Sequence, residues 1–351
     1  MSPLRSANAP IAQGPILDLA QVEVRFPSAR GTFAVVDRVD LSVAHGEVLG
    51  LVGESGCGKS MLARSIMGLV PPPGVTTGGT MLFNGVDMVG LSKDERRRLR
   101  GDRIAVVPQE PMTSLNPTLR IGDQLTEVLR AHRPTMSSDE RRARALVVME
   151  QVGIQFAEQR LSQYPHELSG GIRQRVMIAM ALICGGVELL IADEPTTALD
   201  VTIQAQILEL FMQLQSEQKM AVILITHDLA VIAQTAHRVA VMYAGNIVEL
   251  APVLDLFDVP RHPYTRGLLE SMPRRGISAS KTHLATISGS VPDPSNPPAG
   301  CRFFDRCQFA VKGTCDAENP ALEQITEDRW VRCFRWRELP EFVLADAGAG
   351  S

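Results

Sequence analysis

Length, composition and charge narrow the class of this protein. The chain has 351 residues, of which 45% are hydrophobic and 21% are charged. These are ordinary proportions for a globular protein with one large core and an added domain, or with two modest domains. Its 35 basic and 39 acidic residues give a formal net charge of −4. Nucleic-acid-binding proteins usually carry a basic face, so this balance argues against a nucleic-acid partner.

The N-terminal segment MSPLRSANAPIAQGP contains one arginine and no apolar run. A secretory signal peptide requires a continuous apolar stretch, which this segment does not have. We therefore predict a flexible tail over residues 1–14 and a soluble, cytosolic chain.

The strongest motif predicts a phosphate-binding strand–loop–helix. Val48–Val52 is a short apolar run of the buried-strand type. The next eight residues fit G-x-x-x-x-G-K-[ST]: Gly53, Glu54, Ser55, Gly56, Cys57, Gly58, Lys59 and Ser60. Glycines let backbone N–H groups approach phosphates closely, Lys59 can reach the β- and γ-phosphates, and the Ser60 hydroxyl can bind Mg²⁺. A simple glycine-rich turn is the alternative, but eight matching positions favour the phosphate-binding loop (P-loop).

Two Ser-x-x-Glu patterns predict helix starts further along the chain. Ser92 and Glu95 form a capping box at the start of residues 92–100, and a second capped amphipathic helix is predicted within residues 137–153. The arginines of the first helix are interpreted as a solvated face.

The segment LSGGIRQR, residues 168–175, predicts a second anion site. Ser169 is expected to be the N-cap of a helix that Gly170 and Gly171 open, and helix N-termini bind anions. One chain rarely needs two such sites for one nucleotide, so this one is expected to serve a nucleotide held by a partner subunit. The apolar run that follows, residues 176–187, is shorter than the about 20 residues of a membrane span, which predicts a buried helix ending near Gly185.

A second apolar strand, ELLIADEP at residues 188–195, ends in two adjacent carboxylates. Asp193 is placed to complete a Mg²⁺ shell, and Glu194 to polarise a water for attack on a γ-phosphate. A surface acidic pair at a strand end is the alternative, and it is weaker beside a P-loop.

The C-terminal region changes in composition after Met272. Residues 273–300 are rich in Pro, Ser and Gly and predict a mostly extended linker. Aromatic residues and four cysteines follow, in the spacing C-x5-C-x7-C-x17-C: Cys301, Cys307, Cys315 and Cys333. Four thiolates could hold an iron–sulfur cluster, or a zinc ion, although zinc sites usually show C-x2-C pairs; they could also be free buried thiols.

Together these motifs resemble those of ATP-binding cassette (ABC) transporter ATPases over residues 15–250. The other motifs of that family follow in order: VVPQEP with Gln109, LSGGIRQR, ALD at 198–200, and ITHD with His227. The resemblance implies an α/β P-loop NTPase fold. Such a fold has a RecA-like core, an antiparallel β subdomain, a helical signature subdomain at about residues 110–185 and, here, a small C-terminal cysteine-containing domain.

The resemblance also implies roles for single residues. The catalytic residues would be Glu194, His227 and Gln109, and the Mg²⁺ ligands Ser60, Gln109 and Asp193. Residues of the ATP site would be Phe26, Gly53, Ser55, Gly56, Cys57, Gly58, Lys59, Ser60 and Met61, with Phe26 stacking on adenine or serving as an ordinary strand residue. The signature that contacts the partner's nucleotide would be Leu168, Ser169, Gly170, Gly171 and Gln174, and Asp200 would lie in the loop that crosses to the partner.

Three further segments resemble the ATPases of bacterial oligopeptide and dipeptide importers: residues 108–124, 164–171 and 262–273. The resemblance implies an importer-type extension at residues 251–340, a tail at 341–351, and a 4Fe–4S cluster on the four cysteines, with zinc or no metal as alternatives. Met112–Pro117 is expected either to receive a permease helix or to be a surface loop.

The expected function is that of an ATPase that powers peptide import from the cytoplasmic face of the inner membrane. Its partners would be a second, homologous ATPase, two transmembrane permeases and an extracytoplasmic peptide-binding protein. An importer of nickel or another small solute is one alternative. A soluble cassette ATPase acting on DNA or ribosomes is a weaker one, because the sequence shows neither a coiled-coil insertion nor a tandem cassette.

Overall fold

The computed structural model of the chain describes residues 14–29, 31–110, 114–196, 200–272 and 287–342. Within these ranges the strands form one antiparallel sheet and one mixed sheet. The strands are β1 (Leu17–Ser28), β2 (Gly31–Val43), β3 (Val48–Val52), β4 (Val75–Thr77), β5 (Thr80–Phe83), β6 (Val86–Asp87), β7 (Ile104–Val107), β8 (Leu189–Asp193), β9 (Ala221–Ile225), β10 (Arg238–Tyr243), β11 (Asn246–Pro252), β12 (Glu323–Thr326) and β13 (Arg329–Val331).

The α-helices of the described residues lie on both sides of the mixed sheet or at its ends. They are α1 (Lys59–Ile66), α2 (Lys93–Leu99), α3 (Ile121–His132), α4 (Ser138–Gln151), α5 (Ala157–Leu161), α6 (Gly170–Leu182), α7 (Val201–Gln218), α8 (Leu229–Thr235), α9 (Val253–Asp258) and α10 (Pro263–Glu270). In this part of the chain, no helix combines the length and apolar character that crossing a membrane requires.

The mixed sheet has the order β12-β13-β11-β10-β3-β9-β8-β7 in the described ranges. The strands from β10 to β7 are parallel to one another. All five residues of β3 and all five of β9 are buried, as expected for parallel strands that are covered on both faces. The strands predicted at Val48–Val52 and in residues 188–195 are both present.

Successive residues of β3 face two different cores. Val48 and Val52 belong to a core shared with the helices between β7 and β8, whereas Leu49 and Leu51 belong to a core shared with α1 and the antiparallel sheet. The antiparallel sheet has the order β2-β1-β5-β6, with β4 also paired to β1. The mixed sheet is therefore sandwiched between a β layer and a helical layer.

Helices α3 to α6 lie between β7 and β8 in the chain. The capping box predicted at Ser92 and the capped helix predicted within residues 137–153 are confirmed: α2 starts with a capping box at Ser92, and α4 with one at Ser137. The buried helix predicted for residues 176–187 is confirmed as part of α6, but it ends at Leu182 rather than near Gly185. The reason is local, because Gly185 has a φ of 67° and its N–H bonds the Leu182 carbonyl, which closes a turn.

The capping box of α4 should contribute measurably to stability. The Ser137 hydroxyl accepts a hydrogen bond from Glu140 N at 3.2 Å, and a Glu140 carboxylate oxygen accepts one from Ser137 N at 2.6 Å. We expect Ser137→Ala to lower the free energy of unfolding by about 1 kcal/mol. Urea denaturation followed by circular dichroism would measure it, with Ser138→Ala as a control that leaves the cap intact; equal effects of the two changes would contradict this role of the cap.

The C-terminal residues add two strands to the mixed sheet. β13 pairs with β11 through Leu250 and Trp330, and β12 pairs with β13. Of the predicted linker, residues 273–286 lie outside the described residues, and residues 287–300 form bends and turns. The predicted tails at 1–14 and 341–351 also lie almost entirely outside the described ranges.

Candidate active site

The P-loop spans the turn between β3 and α1, and its geometry admits only glycine at two positions. Gly53 has a φ of 152°, and a Cβ there would lie 2.1 Å from the carbonyl oxygen of Met242. Gly58 has a φ of 110° and is the N-cap of α1, and a Cβ there would lie 2.8 Å from the carbonyl oxygen of Val35. The loop is thus held close to two neighbouring backbone segments, and α1 begins at the lysine of the motif.

The Lys59 ammonium bonds the carbonyl oxygens of its own loop. Its Nζ donates to Gly53 O at 2.7 Å and to Glu54 O at 2.9 Å. Both acceptors are neutral, so an anionic phosphate would compete well for the same donor. Nζ also donates to Cys57 Sγ at 3.6 Å, so the ammonium is available for phosphates at the cost of three hydrogen bonds to neutral acceptors.

Ser60 and Asp193 bring two oxygen ligands together. The Ser60 hydroxyl donates to Asp193 Oδ1 at 3.1 Å. Burial raises the pKa of Asp193, and the hydrogen bond from Ser60 partly opposes this shift. Hydroxyl and carboxylate oxygens are ligands that Mg²⁺ prefers, so the donor set fits that ion.

Glu194 follows β8 and lies between two other predicted catalytic residues. Gln109 Nε2 donates to Glu194 Oε2 at 2.9 Å, and His227 Nδ1 lies 3.5 Å from Glu194 Oε1. Glu194 has a φ of 46°, a region that L-residues rarely adopt, and its N–H bonds the Ile225 carbonyl at 2.8 Å. Gln109, Glu194 and His227 follow neighbouring parallel strands, so their side chains meet at one edge of the sheet.

The other residues predicted for the ATP site differ in their exposure. Cys57 is buried, and burial raises the pKa of its thiol, which agrees with the role of a small apolar filler. Ser55 and Gly56 are exposed, and Met61 packs against the core under the antiparallel sheet. Phe26 lies on β1 and stacks on Phe33 with ring centroids 6.1 Å apart.

The signature segment begins α6, which packs in the helical layer, whereas the P-loop leads into α1, which packs in the core under the antiparallel sheet. Ser169 is the N-cap of α6 as predicted, but its side chain makes no capping hydrogen bond. Leu168 and Gln174 are buried, while a Cβ on Gly171 would lie 2.9 Å from Ile203 of α7. Gly170 opens the helix with an exposed backbone.

Asp200 is the N-cap of α7 and accepts from Ile203 N at 2.9 Å. The other two residues of the ALD segment, 198 and 199, lie outside the described residues. Of the segment expected to meet a permease, residues 112 and 113 are also outside them, whereas Leu115 is buried in the helical core.

The four C-terminal cysteines line one apolar cavity of about 20 Å³. All are free thiols, and the cavity is also lined by Phe303, Phe304, Phe309 and Phe334. Burial raises the pKa of Cys301 to about 11 and that of Cys333 to about 12. Among the described side chains, no group of three or more His, Cys, Asp or Glu is arranged to hold a metal ion.

Sequence reasoning missed two residues, Tyr264 and Arg306, that contact Glu54 of the P-loop. Glu54 N donates to the Tyr264 hydroxyl at 2.8 Å, and Arg306 donates to both carboxylate oxygens of Glu54. Both residues lie in segments that the sequence analysis had singled out: Tyr264 in HPYTRGLL and Arg306 in CRFFDRC. Neither segment, however, indicates where in the fold it contacts the cassette.

Two family models match the chain. The model described as "ABC transporter" matches residues 36–197, and the model described as "Oligopeptide/dipeptide transporter, C-terminal region" matches residues 248–315. A putative peptide import ATP-binding protein of Brucella ovis is 49% identical over 339 residues, covering 94% of this chain and 99% of that protein. The dipeptide transport ATP-binding protein DppD of Escherichia coli K12 is 46% identical over 333 residues, covering 95% and 98%.

The chain belongs to the oligopeptide/dipeptide family of ABC transporter ATPases. This ABC ATPase also matches a solved dimeric structure, a post-hydrolysis state of the ATP-binding cassette MJ0796 bound to ADP and Pi. The match has a TM-score of 0.60 and 28% identity, and it covers 68% of this chain and 98% of that one. The cassette fold is therefore confirmed, with its mixed sheet and helices, and the ABC ATPase is an ATP-hydrolysing transporter subunit.

Proposed function

We propose that this ABC ATPase powers the import of peptides across a cytoplasmic membrane. The observation that carries the proposal is the gathering of Gln109, Glu194 and His227 beside a P-loop, in a chain whose C-terminal region matches the oligopeptide/dipeptide transporter family. The first feature supports ATP hydrolysis, and the second supports peptides as the transported solute.

In the proposed mechanism, Lys59 exchanges its loop carbonyls for the β- and γ-phosphates of ATP. Ser60, Asp193 and Gln109 would hold Mg²⁺, which neutralises charge on the phosphates. Glu194 accepts a proton from the water that attacks the γ-phosphorus, the bond to the β-phosphate oxygen breaks, and ADP leaves. His227 contacts the γ-phosphate, and its position beside Glu194 lets it support the same water.

The other proposed contacts lie between subunits. Leu168, Ser169, Gly170, Gly171 and Gln174 would contact the nucleotide of a second, homologous ATPase, and Asp200 would cross that interface. Phe26 would stack on adenine. From the cytoplasmic face, closure of the two ATPases on ATP and their reopening after hydrolysis would drive two transmembrane permeases. An extracytoplasmic binding protein would supply the permeases with peptide.

Uptake of labelled solute tests this function. In the native host, deletion of the gene should abolish uptake of a labelled peptide, the wild-type gene should restore it, and the Glu194→Gln gene should not. If the deletion left peptide uptake unchanged and abolished nickel uptake, the chain would be assigned to a nickel importer instead. Co-purification with ribosomes or DNA, and not with multi-span membrane partners, would contradict transport altogether.

We also propose that residues 251–340 form a module around a 4Fe–4S cluster held by the four cysteines. Four soft thiol ligands around one apolar cavity suit such a cluster, whose aromatic shell would protect it. A 4Fe–4S cluster is larger than a single metal ion, so its cysteine ligands lie further apart than those of one ion. This is compatible with the four thiols, which are not arranged around one ion. The cluster would be structural, because ATP hydrolysis requires no electron.

Metal analysis tests the cluster. Protein purified without oxygen should contain about four irons and four acid-labile sulfides per chain, and Cys307→Ser should lose most of both. Cys184→Ser is a matched control, since this cysteine is half-buried in the helical layer and should leave the content unchanged. Zinc in place of iron, or no metal in the wild type, would contradict the cluster.

A further inference from the structure

We propose that the C-terminal extension positions the P-loop, with Tyr264 and Arg306 as positioning residues that act through Glu54 and set the affinity for nucleotide. The inference rests on the proposed ATP site and goes beyond it, because neither residue belongs to the motifs of the cassette. It does not depend on what the cysteines bind.

Arg306 holds the side chain of Glu54 in a two-point ion pair. Nη1 donates to Oε2 at 2.7 Å and Nη2 donates to Oε1 at 2.9 Å. This fork fixes the direction of the carboxylate as well as its distance. The arginine side chain is 6% exposed and the Glu54 side chain 27%, so the pair is partly buried and solvent screens it less than a surface pair.

The arginine is itself fixed by its surroundings. It donates to the carbonyl oxygens of Ser288 and Ile287 at 2.8 and 3.1 Å. Its guanidinium also lies over the rings of Tyr243 and Phe303, 5.6 and 5.9 Å from their centroids. A side chain held at so many points has little freedom to leave Glu54.

Tyr264 holds the backbone of the same residue. Its ring is fully buried, with its centroid 4.6 Å from that of Tyr243 and 5.4 Å from that of Phe303. From this rigid position its hydroxyl accepts the Glu54 N–H at 2.8 Å. Because Lys59 bonds the Glu54 carbonyl, the N–H, the carboxylate and the carbonyl of one P-loop residue are all bonded to side chains.

Two consequences follow for the nucleotide. The loop is held in one conformation before binding, so less ordering is required when phosphates arrive. The guanidinium also neutralises a carboxylate on the loop that receives a polyanion, and an unpaired Glu54 would repel that polyanion. Both effects raise the affinity for ATP. The Arg306–Glu54 pair contributes to both, and the hydrogen bond to Tyr264 contributes to the first.

The test is a titration of the full-length chain with a fluorescent ATP analogue and Mg²⁺. We expect Arg306→Met to raise Kd about tenfold, and Arg306→Lys, which keeps the charge but not the fork, to raise it less. Arg335→Met is the matched control. Arg335 also anchors the cysteine segment, donating to the Phe309 carbonyl at 2.6 Å, but it pairs with Glu338 rather than with the P-loop; its Kd should match that of the wild type.

A double-mutant cycle separates positioning from general stability. In a Glu54→Gln background, Arg306→Met should change Kd by less than about twofold, because the pair is already broken. In the assembled transporter, Arg306→Met should raise KM for ATP while kcat at saturation stays within about twofold of the wild type.

The outcomes divide cleanly. A wild-type Kd for Arg306→Met, or equal effects of Arg306→Met and Arg335→Met, would overturn the inference while leaving the ATP site standing. A wild-type chain that binds no nucleotide would instead overturn the ATP site itself. If Arg306→Met does not fold, Arg306→Lys replaces it, both alone and in the cycle with Glu54→Gln. An unchanged Kd for Arg306→Lys would then overturn the inference.

Discussion

Replacing Glu194 by glutamine is expected to stop ATP turnover and to leave ATP binding intact. Glutamine keeps the size of the side chain and can still contact Gln109 and His227, but it cannot accept the proton of the attacking water. Losing a general base typically lowers a rate by about 10²–10⁴-fold, so we expect kcat to fall by about a thousandfold. Phosphate release from the assembled transporter measures it, and filter binding of labelled ATP measures the retained affinity.

Glu188→Gln is the matched control for this change. Glu188 lies at the other end of the same strand region and hydrogen-bonds the Asn84 side chain at 2.6 Å. Its replacement should affect stability and not turnover. Hydrolysis that survives in Glu194→Gln would remove Glu194 from the catalytic role.

Replacing Lys59 by methionine is expected to remove most of the affinity for ATP. Methionine has a similar length and suits the buried position, but it offers no ammonium to the phosphates. Hydrogen bonds to charged groups contribute about 1.5–3 kcal/mol each, so we expect a loss of affinity on the order of a hundredfold. The same fluorescent titration would detect it.

Lys93→Met, at the exposed start of α2, controls for the loss of one positive charge. It should leave Kd unchanged. Equal binding by Lys59→Met and the wild type would mean that the ammonium stays on the carbonyls of Gly53 and Glu54 when nucleotide binds.

The parts of the fold that the sequence predicted correctly are those that local patterns determine. The strand at Val48–Val52, the capping boxes at Ser92 and Ser137, and the buried helix after Ser169 each depend on neighbours within a few residues. The P-loop motif is local too, because the φ values of Gly53 and Gly58 favour glycine, although the close approach of Met242 and Val35 to these glycines is not visible in the motif.

Contacts between distant segments could not be predicted in the same way. Glu54 and Tyr264 are 210 positions apart, and Glu54 and Arg306 are 252 apart. No periodicity or spacing encodes which of the many arginines will reach a given carboxylate. The meeting of Gln109, Glu194 and His227 was expected only from the resemblance to a family, because it depends on the order of strands in the sheet.

The pairing of β13 with β11 has a consequence for where the chain can be cut. The sequence placed a boundary near residue 250, within β11, whereas the hydrogen bonds of that strand continue into residues 329–331. A chain ending at residue 250 would leave backbone donors and acceptors of a buried strand open to other molecules. Unprotected strand edges of this kind recruit further strands, so the shortened chain should aggregate rather than behave as an isolated cassette.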